Sequence, residues 1–371
     1  MNFALEPEDV AIQARAREAA DDVVAPRARM ADEAGVFDRE VIAELGRRGL
    51  LDVRLGALPM SLVYEELGRV DSSVRGCVTV QVGLVAHCLD DWGSEEQKQE
   101  WLPRLSSGAV LGCYCMTEPE AGSDARAVRT QAARHGGDWL IEGEKAWITN
   151  GGVAELALVF AAADEGLTAF VVPTDTPGFE AERMGVRELG HRGSNHVRIR
   201  LAGLRVPGTA ELGRPGEGFK VAMGGLGHGR LGVAAGAVGI IQACLDASVA
   251  FARERRQFGR RIGEFEMVQA ALADMAADLA AARLLVRQAA WSRDQGEDVS
   301  QAVAIAKLFS CEAALRAADQ AILVHGSRGY SNEYPVERFW RDAKGMQIYE
   351  GTSHIQRIII ARALLGREAS D

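Results

Sequence analysis

A glutamate followed by glycine near the C-terminus has the clearest chemical potential in this sequence. Glu350 is followed by Gly351 and by a short apolar run that predicts a final helix. Thr352 or Ser353 can cap that helix. A carboxylate between an apolar stretch and a helix start can be a general base with a raised pKa. It can equally be an acidic residue of the first helical turn, and the pattern alone leaves both interpretations open.

Two segments in the middle of the chain carry groups suited to a flat heteroaromatic ring or a phosphate. The segment YCMTEPEAGSD offers the hydroxyls of Thr117 and Ser123 and the backbone N–H groups of a loop. The segment KAWITNGG places Trp147 and Thr149 on one face of a predicted strand. Taken alone, the first segment is also explained by a polar β-turn and the second by a tryptophan in the core.

A basic run at residues 253–261 ends a predicted helix. Its cations complement the negative end of the helix dipole, so a solvated surface is one explanation. Arginine side chains also bind phosphates in bidentate geometry, so a clamp for a pyrophosphate is the other.

The sequence lacks the patterns of several other kinds of site. Its seven histidines are scattered, without an HExxH motif or a carboxylate cluster, so no metal site is predicted. The glycines at 225–229 do not follow a predicted strand, which argues against a dinucleotide fingerprint. No GxSxG motif occurs, so a serine hydrolase is disfavoured.

Charge and composition limit the partners further. The net charge of -10 argues against binding to nucleic acid, because neutralising phosphates requires excess Lys and Arg. The six cysteines show no CxxC spacing, which indicates reduced thiols of a cytosolic protein. The N-terminus has no signal-peptide pattern, and no apolar run reaches about 18 residues. We therefore expect a cytoplasmic protein without a membrane partner.

Three zones of different periodicity must position these groups. Residues 1–108 show helical patterns, and residues 109–212 contain short runs of β-branched and aromatic residues separated by Gly, Asp and Pro. Long Ala-rich amphipathic helices fill residues 213–371, which is typical of a four-helix bundle. The sequence thus predicts an α+β fold with a helical N-terminal domain, a middle antiparallel β domain and a C-terminal four-helix bundle.

The motifs TEPEAGSD, KAWITNGG, RRQFG and IYEGTSHIQR, in this order, resemble the acyl-CoA dehydrogenase family. The similarity runs from about residue 5 to residue 366. It implies the three-domain fold above and FAD bound between the β domain and the bundle. It also implies a homotetramer or homodimer in which a neighbouring subunit completes the adenosine end of the FAD site.

The resemblance also assigns roles to single residues. The implied FAD contacts are Tyr114, Met116, Thr117, Gly122, Ser123, Trp147, Thr149, Arg255, Gln257, Phe258, Gly326, Thr352, Ser353 and Gln356. The three contacts from Arg255 to Phe258 are expected to come from the partner subunit. The implied substrate contacts are Ser123, Arg75, Arg230 and Gly351.

Glu350 matches the catalytic base of the family. Some members place the base one residue before the arginine that matches Arg230, where this chain has Gly229. The resemblance therefore implies that Glu350 removes the α-proton of an acyl thioester while a hydride leaves Cβ for flavin N5. The product would be a 2,3-unsaturated thioester, and an electron-transfer flavoprotein is the expected electron acceptor.

Two departures from the family and one further resemblance leave the substrate open. The loop at 54–59 is short and lacks Gly-Gly, and Gly227 replaces an Asp that is common near the pantetheine arm. The stretch VDSSVR, ending at Arg75, resembles glutaryl-CoA dehydrogenase, where an arginine holds a distal carboxylate; a surface arginine is the other interpretation.

An acyl-CoA is therefore the leading substrate. A polar or hydroxymalonyl-type group on an acyl carrier protein is the alternative. A flavin monooxygenase on the same fold is a further one, which Glu350 disfavours.

Overall fold

The N-terminal zone folds as helices, as the sequence predicts. The computed structural model describes residues 4–366. The helices before the sheet are α1 (Pro7–Ala19), α2 (Ala25–Ala34), α3 (Arg39–Arg47), α4 (Ala57–Val70), α5 (Ser72–Val78), α6 (His87–Trp92) and α7 (Glu95–Ser106). Two π-helical segments, Ala20–Val24 and Thr79–Ala86, join α1 to α2 and α5 to α6. Asp38, whose residue type favours the start of a helix, caps α3 by accepting from the N–H of Glu40.

The middle zone is one twisted sheet. Its strands are β1 (Gly112–Cys115), β2 (Gln131–His135), β3 (Asp138–Ile148), β4 (Leu156–Ala163), β5 (Gly166–Pro173), β6 (Phe179–Arg183), β7 (Val197–Pro207) and β8 (Glu211–Leu212). The strand order is β6-β7-β3-β2-β4-β5-β8, and β1 lies beside β4. Most neighbours are antiparallel, but β1 and β2 both run parallel to β4. The predicted antiparallel domain is therefore confirmed for most of the sheet.

Three strands of the sheet were not predicted. Nearly all residues of β2 and β6 are exposed, so these strands lack the alternation of apolar and polar residues that identifies a half-buried strand. The third, β8, has only two residues. Backbone hydrogen bonds to neighbouring strands hold all three in the sheet, and their own sequences contain no apolar pattern that would predict a strand.

The C-terminal zone is the helical bundle. It contains α8 (Gly218–Glu254), a hairpin of β9 (Arg256–Gln257) and β10 (Arg260–Arg261), α9 (Glu266–Asp294), α10 (Ser300–His325), α11 (Val336–Met346) and α12 (Ser353–Leu364). Helix α8 packs against α4, α9 and α10. By length and composition α8 could cross a membrane, but 67% of its most apolar window is buried inside the fold, as in a core helix.

Candidate functional site

The turn between α11 and α12 presents Glu350. Its φ is +55°, and the next residue, Gly351, has a φ of +89°. Left-handed backbone is uncommon for a residue other than glycine and tends to occur at functional sites. Thr352 then caps α12 by accepting from the N–H of Ile355 at 3.2 Å. Glu350 is thus held in the turn before the helix and is not part of its first helical turn.

The carboxylate of Glu350 has the environment of a neutral-pH base. Its Oε2 atom is buried and has no hydrogen-bond partner among residues 4–366. Burial raises the pKa of Glu350 to about 7, while the positive charges of Lys307, Arg75 and Arg230 oppose that rise. The backbone N–H of Glu350 forms no hydrogen bond within the described chain either. A proton acceptor and a free donor therefore lie side by side, as deprotonation next to a carbonyl requires.

Glycines on α8 provide the space for this turn. A Cβ on Gly229 would lie 2.3 Å from Oε2 of Glu350. Seven residues further along the helix, a Cβ on Gly236 would lie 2.5 Å from Nε of Arg75. A side chain at position 229 would therefore overlap the base, which agrees with Glu350 as the single base candidate in this part of the fold.

Arg75 lies beside Glu350 inside the protein. It is 0% exposed, so the interpretation of Arg75 as a surface arginine is wrong. Its guanidinium donates to the hydroxyls of Tyr349 and Ser72, while its Nε is buried without a partner within residues 4–366. The Tyr349 hydroxyl also lies 3.3 Å from Nε2 of His191. The role of Arg75 in holding substrate stays a prediction.

A β-bulge in β3 turns Trp147 outward. The pairing of β3 with β7 shifts register between Lys145 and Ile148, and Trp147 has a φ of +60°. As a result the indole is 52% exposed. Thr149 follows the end of the strand, so the predicted alternation of Trp147 and Thr149 along one strand is wrong, although both stay at the same edge of the sheet.

The loop after β1 is fixed against β3. The N–H of Ala146 donates to the carbonyl oxygen of Thr117 at 2.9 Å, which places Thr117 next to the bulge. Below it, the buried pair of Lys145 and Glu118 has a separation of 2.7 Å, and Lys145 Nζ also donates to the carbonyl of Met116 at 3.3 Å. Residues of β3 thus fix the position of the loop.

Other predicted residues of this loop separate into two groups. Gly122 and Ser123 are exposed at its tip. Tyr114 is buried instead, and its hydroxyl donates to the carbonyl of Ala222 on α8 at 3.1 Å. The Tyr114 side chain therefore joins the sheet to the bundle, and its contact with a cofactor stays a prediction.

The loop before β7 connects the two halves of the site. The carbonyl oxygen of Ser194 accepts from the N–H of Asn150, directly after Thr149. In the same loop, the His191 N–H donates to the carboxylate of Asp342 on α11 at 2.7 Å. The exposed indole edge and the helix before the Glu350 turn are therefore attached to points three residues apart in the loop between β6 and β7.

Several residues predicted to touch ligands instead hold the Glu350 turn. Nε of Arg230 donates to the carbonyl of Glu350 at 3.2 Å. Nε2 of Gln356 donates to the carbonyl of Gly351 at 2.8 Å, and Gln356 is fully buried. Ser353 is the first residue of α12 and is half-buried. The contacts observed for Arg230 and Gln356 are thus with backbone.

The remaining predicted residues lie far from Glu350. Arg255, Gln257 and Phe258 belong to the β9–β10 hairpin, and the Phe258 ring is 94% exposed. Gly326 follows α10 at the same end of the bundle, where aromatic rings at the ends of α8 and α10 stack. About 25 residues of α8 separate Gly229 from the hairpin, which is roughly 37 Å at the helical rise of 1.5 Å per residue. Within one chain, these groups cannot share a ligand contact with the Glu350 carboxylate.

Sequence reasoning missed two residues of the site. Lys307 is 1% exposed on α10, and its signal was a lone lysine inside the apolar run VAIAKLF. His191 comes from an irregular loop, where no periodicity marks burial. Among the described residues, no group of three or more His, Cys, Asp or Glu could hold a metal ion.

Family models for three acyl-CoA dehydrogenase domains match consecutive parts of the chain. The N-terminal model matches residues 6–109, the middle model residues 113–203 and the C-terminal model residues 216–365.

Individual relatives agree with these matches. The chain is 42% identical to a probable acyl-CoA dehydrogenase, YngJ, of Bacillus subtilis (strain 168), over 98% of this chain and 100% of the relative. It is similar to the glutaryl-CoA dehydrogenase of Mycobacterium smegmatis, with a TM-score of 0.95, 37% identity, and coverage of 100% of this chain and 98% of that one. The prolyl acyl carrier protein oxidase AnaB has a TM-score of 0.93 and 28% identity, over 97% and 100% of the two chains.

Proposed function

The chain belongs to the acyl-CoA dehydrogenase family, and from this membership we propose that it dehydrogenates an acyl thioester between Cα and Cβ, with Glu350 as the base. The cofactor of the family is FAD, and the reaction is an oxidation of a CH–CH donor. The product would be a 2,3-unsaturated thioester. We propose an electron-transfer flavoprotein as the protein that reoxidises the cofactor.

The observation that carries the proposal is the buried, unpartnered Oε2 of Glu350. A thioester Cα–H is weakly acidic, so its removal needs a base whose pKa lies near the working pH and a donor to the developing oxyanion. Glu350 supplies both: its carboxylate takes the α-proton, and its own N–H donates to the thioester oxygen. The cations around the carboxylate offset part of the effect of burial, which leaves the pKa of Glu350 at about 7.

The residues at the indole edge fit a flavin. The half-exposed Trp147 offers a flat apolar surface, and Thr117 and Thr149 offer hydroxyls beside it. In our proposal these residues, with Gly122 and Ser123 at the loop tip, hold the ring system. When bound, FAD supplies the two-electron acceptor for the hydrogen that leaves Cβ.

The exposed hairpin supports an oligomer. Phe258 is almost fully exposed, although burying a phenylalanine side chain is worth about 1.5–3 kcal/mol. Since the hairpin lies roughly 37 Å along α8 from its own base, we propose that it binds the FAD of a second copy, in a homotetramer or homodimer. Native mass measured together with FAD content tests this point.

The direct test of the base is Glu350→Gln. We expect a yellow protein with normal FAD content whose flavin band is not bleached by any thioester under anaerobic conditions. Glu333→Gln, an exposed glutamate with a long ion pair to Arg328, is the matched control and should be bleached like the parent protein. Rapid bleaching of the Glu350→Gln protein would disprove the proposed function.

A contact with the arm of the thioester substrate is supported by a second observation. A Cβ on Gly227 would lie 3.2 Å from the guanidinium of Arg293, so an arginine from α9 fills the space beside this glycine. His228, the next residue, stacks on His87 at 3.6 Å between ring centroids. We propose that this basic and aromatic group contacts the thioester arm, whether the arm belongs to CoA or to a carrier protein. Titration with the same acyl group on CoA and on a carrier protein distinguishes the two.

A polar acyl group is supported by the position of Arg75. Its guanidinium is buried and its charge acts on Glu350, so a carboxylate or hydroxyl of a substrate bound at Glu350 would have a charged donor close by. We expect Arg75→Ala to lose activity on dicarboxylic or hydroxylated acyl thioesters more than on butyryl thioesters. Full activity of Arg75→Ala on polar substrates would remove this part of the proposal.

A further inference from the structure

A buried lysine lies directly behind the proposed base. Lys307 is on α10, 1% exposed, and surrounded in sequence by apolar residues. Its Nζ donates to three backbone carbonyls, those of Gly351 at 2.7 Å, Tyr349 at 2.8 Å and Met346 at 3.3 Å. Two of these acceptors flank Glu350, and the third is the last carbonyl of α11.

Burial lowers the pKa of Lys307, but its three acceptors match the three donors of a charged amine. A lysine ammonium has three donors, and each of the three carbonyls takes one of them, whereas a neutral amine has only two. No carboxylate accepts a hydrogen bond from Lys307 among the described residues. Removing an ammonium from water without an ion-pair partner costs free energy of folding. A role in the site, and not packing alone, therefore accounts for a lysine at this position.

Two more helices act on the same turn. Arg230 on α8 donates to the carbonyl of Glu350 itself, and Gln356 on α12 donates to the carbonyl of Gly351. Together with Lys307, donors from three helices hold the carbonyls of three consecutive residues. These bonds point the carbonyls of the turn toward the donors and leave the N–H and the carboxylate of Glu350 unpaired within the described chain.

We propose that Lys307 is a positioning residue for the catalytic base: its ammonium holds the left-handed turn that presents Glu350 to the substrate. The proposal rests on the function proposed above. A left-handed backbone is strained for a residue other than glycine and persists only where its surroundings fix it. Without the ammonium the turn relaxes, and the carboxylate leaves its position beside Gly229.

The charge of Lys307 also acts on the carboxylate, together with the other ionisable groups around it. These are Tyr64 on α4, Arg75 on α5, Tyr114 on β1, Arg230 on α8, Cys311 on α10 and Tyr349 in the turn. Of the charged groups that lower the pKa of Glu350, Lys307 has the largest effect. Its loss should therefore raise the pKa of Glu350, so the base becomes ionised only at higher pH.

The test is Lys307→Met, which keeps the apolar stem and removes the donors. In the FAD-loaded enzyme we expect kcat for the thioester to fall at least 10-fold, KM to change less than 3-fold, and the acidic limb of the pH–rate profile to move to higher pH. Lys307→Gln, which keeps two donors, should recover part of kcat. Lys307→Arg, which keeps the charge, should bring the acidic limb back toward its original position.

Lys98→Met is the control for losing a lysine outside the site. Lys98 lies on α7 and its ion pair with Glu95 is long, at 3.6 Å, so its loss should leave kcat and the acidic limb unchanged. If Lys307→Met has a kcat within 2-fold of the parent and an unmoved acidic limb, Lys307 does not position the base. Rapid bleaching of the Glu350→Gln protein would instead disprove the underlying function, so the two failures are distinguishable.

Discussion

The buried position of Glu350 makes a testable prediction about how the rate of flavin reduction by the thioester depends on pH. Burial raises its pKa from 4.5 to about 7, and only the ionised form can accept the α-proton. At pH 6 about one-tenth of the base is then ionised, and at pH 5 about one-hundredth. An unshifted glutamate would be almost fully ionised at pH 6. We therefore expect kcat/KM to fall about 10-fold per pH unit below pH 7.

The assay is anaerobic stopped-flow bleaching of the flavin band between pH 5 and pH 9. Because kcat/KM reports the free enzyme, the limb gives the pKa of Glu350 before substrate binds. A thioester deuterated at Cα and Cβ ensures that the chemical step is measured. Burial also raises the pKa values of Asp71 and Asp342, to about 6, so a limb near pH 7 and not near pH 6 identifies Glu350 as the group that titrates. A profile of the parent enzyme that stays flat from pH 8 to pH 5.5 would refute the reasoning.

Three further predictions follow from the same contacts. Since the folded state holds the proton of Glu350 more tightly than the unfolded state does, this carboxyl lowers stability as pH rises through 4.5–7. Glu350→Gln should therefore gain about 3 kcal/mol over the parent between pH 4.5 and pH 8 in denaturant unfolding, and an equal pH slope in both would contradict this. Gly229→Ala places a methyl 2.3 Å from Oε2 and should reduce kcat at least 10-fold with FAD bound, whereas Gly137→Ala, which meets nothing within 4 Å, should not. Phe258→Ala should lower FAD content several-fold without lowering helix content by circular dichroism, while Met30→Ala, at another exposed apolar residue, should keep its FAD.

The sequence predicted the architecture because each zone has a strong period of its own. The cap at Asp38 and the long apolar stripes of the bundle were visible in single segments. The strands β2 and β6 were not, since exposed residues carry no alternation and pairing with neighbours decides their conformation. Helix α11 was also not predicted as a separate element. Local pattern therefore specified elements that bury a face, and it missed those that the rest of the fold imposes.

The site was predictable as a set of residues and not as a geometry. The motif around Glu350 indicated the base, but nothing local showed that Arg75 is buried against it. Likewise, Arg230 and Gln356 were expected to touch ligands, and their observed contacts are with the carbonyls of the turn. A sequence motif shows which residues occur together along the chain. The acceptor that each side chain binds depends on how helices far apart in sequence pack against one another. For the same reason Lys307 had no predicted role.

The glycines of α8 have a consequence for how the protein moves. All eight lie between Gly218 and Gly239, and the segment after Gly239 has none. Each glycine weakens a helix by about 1 kcal/mol relative to alanine, so the half of α8 beside Glu350 depends on its neighbours to stay wound, and the other half does not. Amide hydrogen exchange should therefore be faster in the glycine-rich half of this continuous helix. A thioester packed against that half would slow the exchange, so protection of these amides is a label-free signal for substrate occupancy.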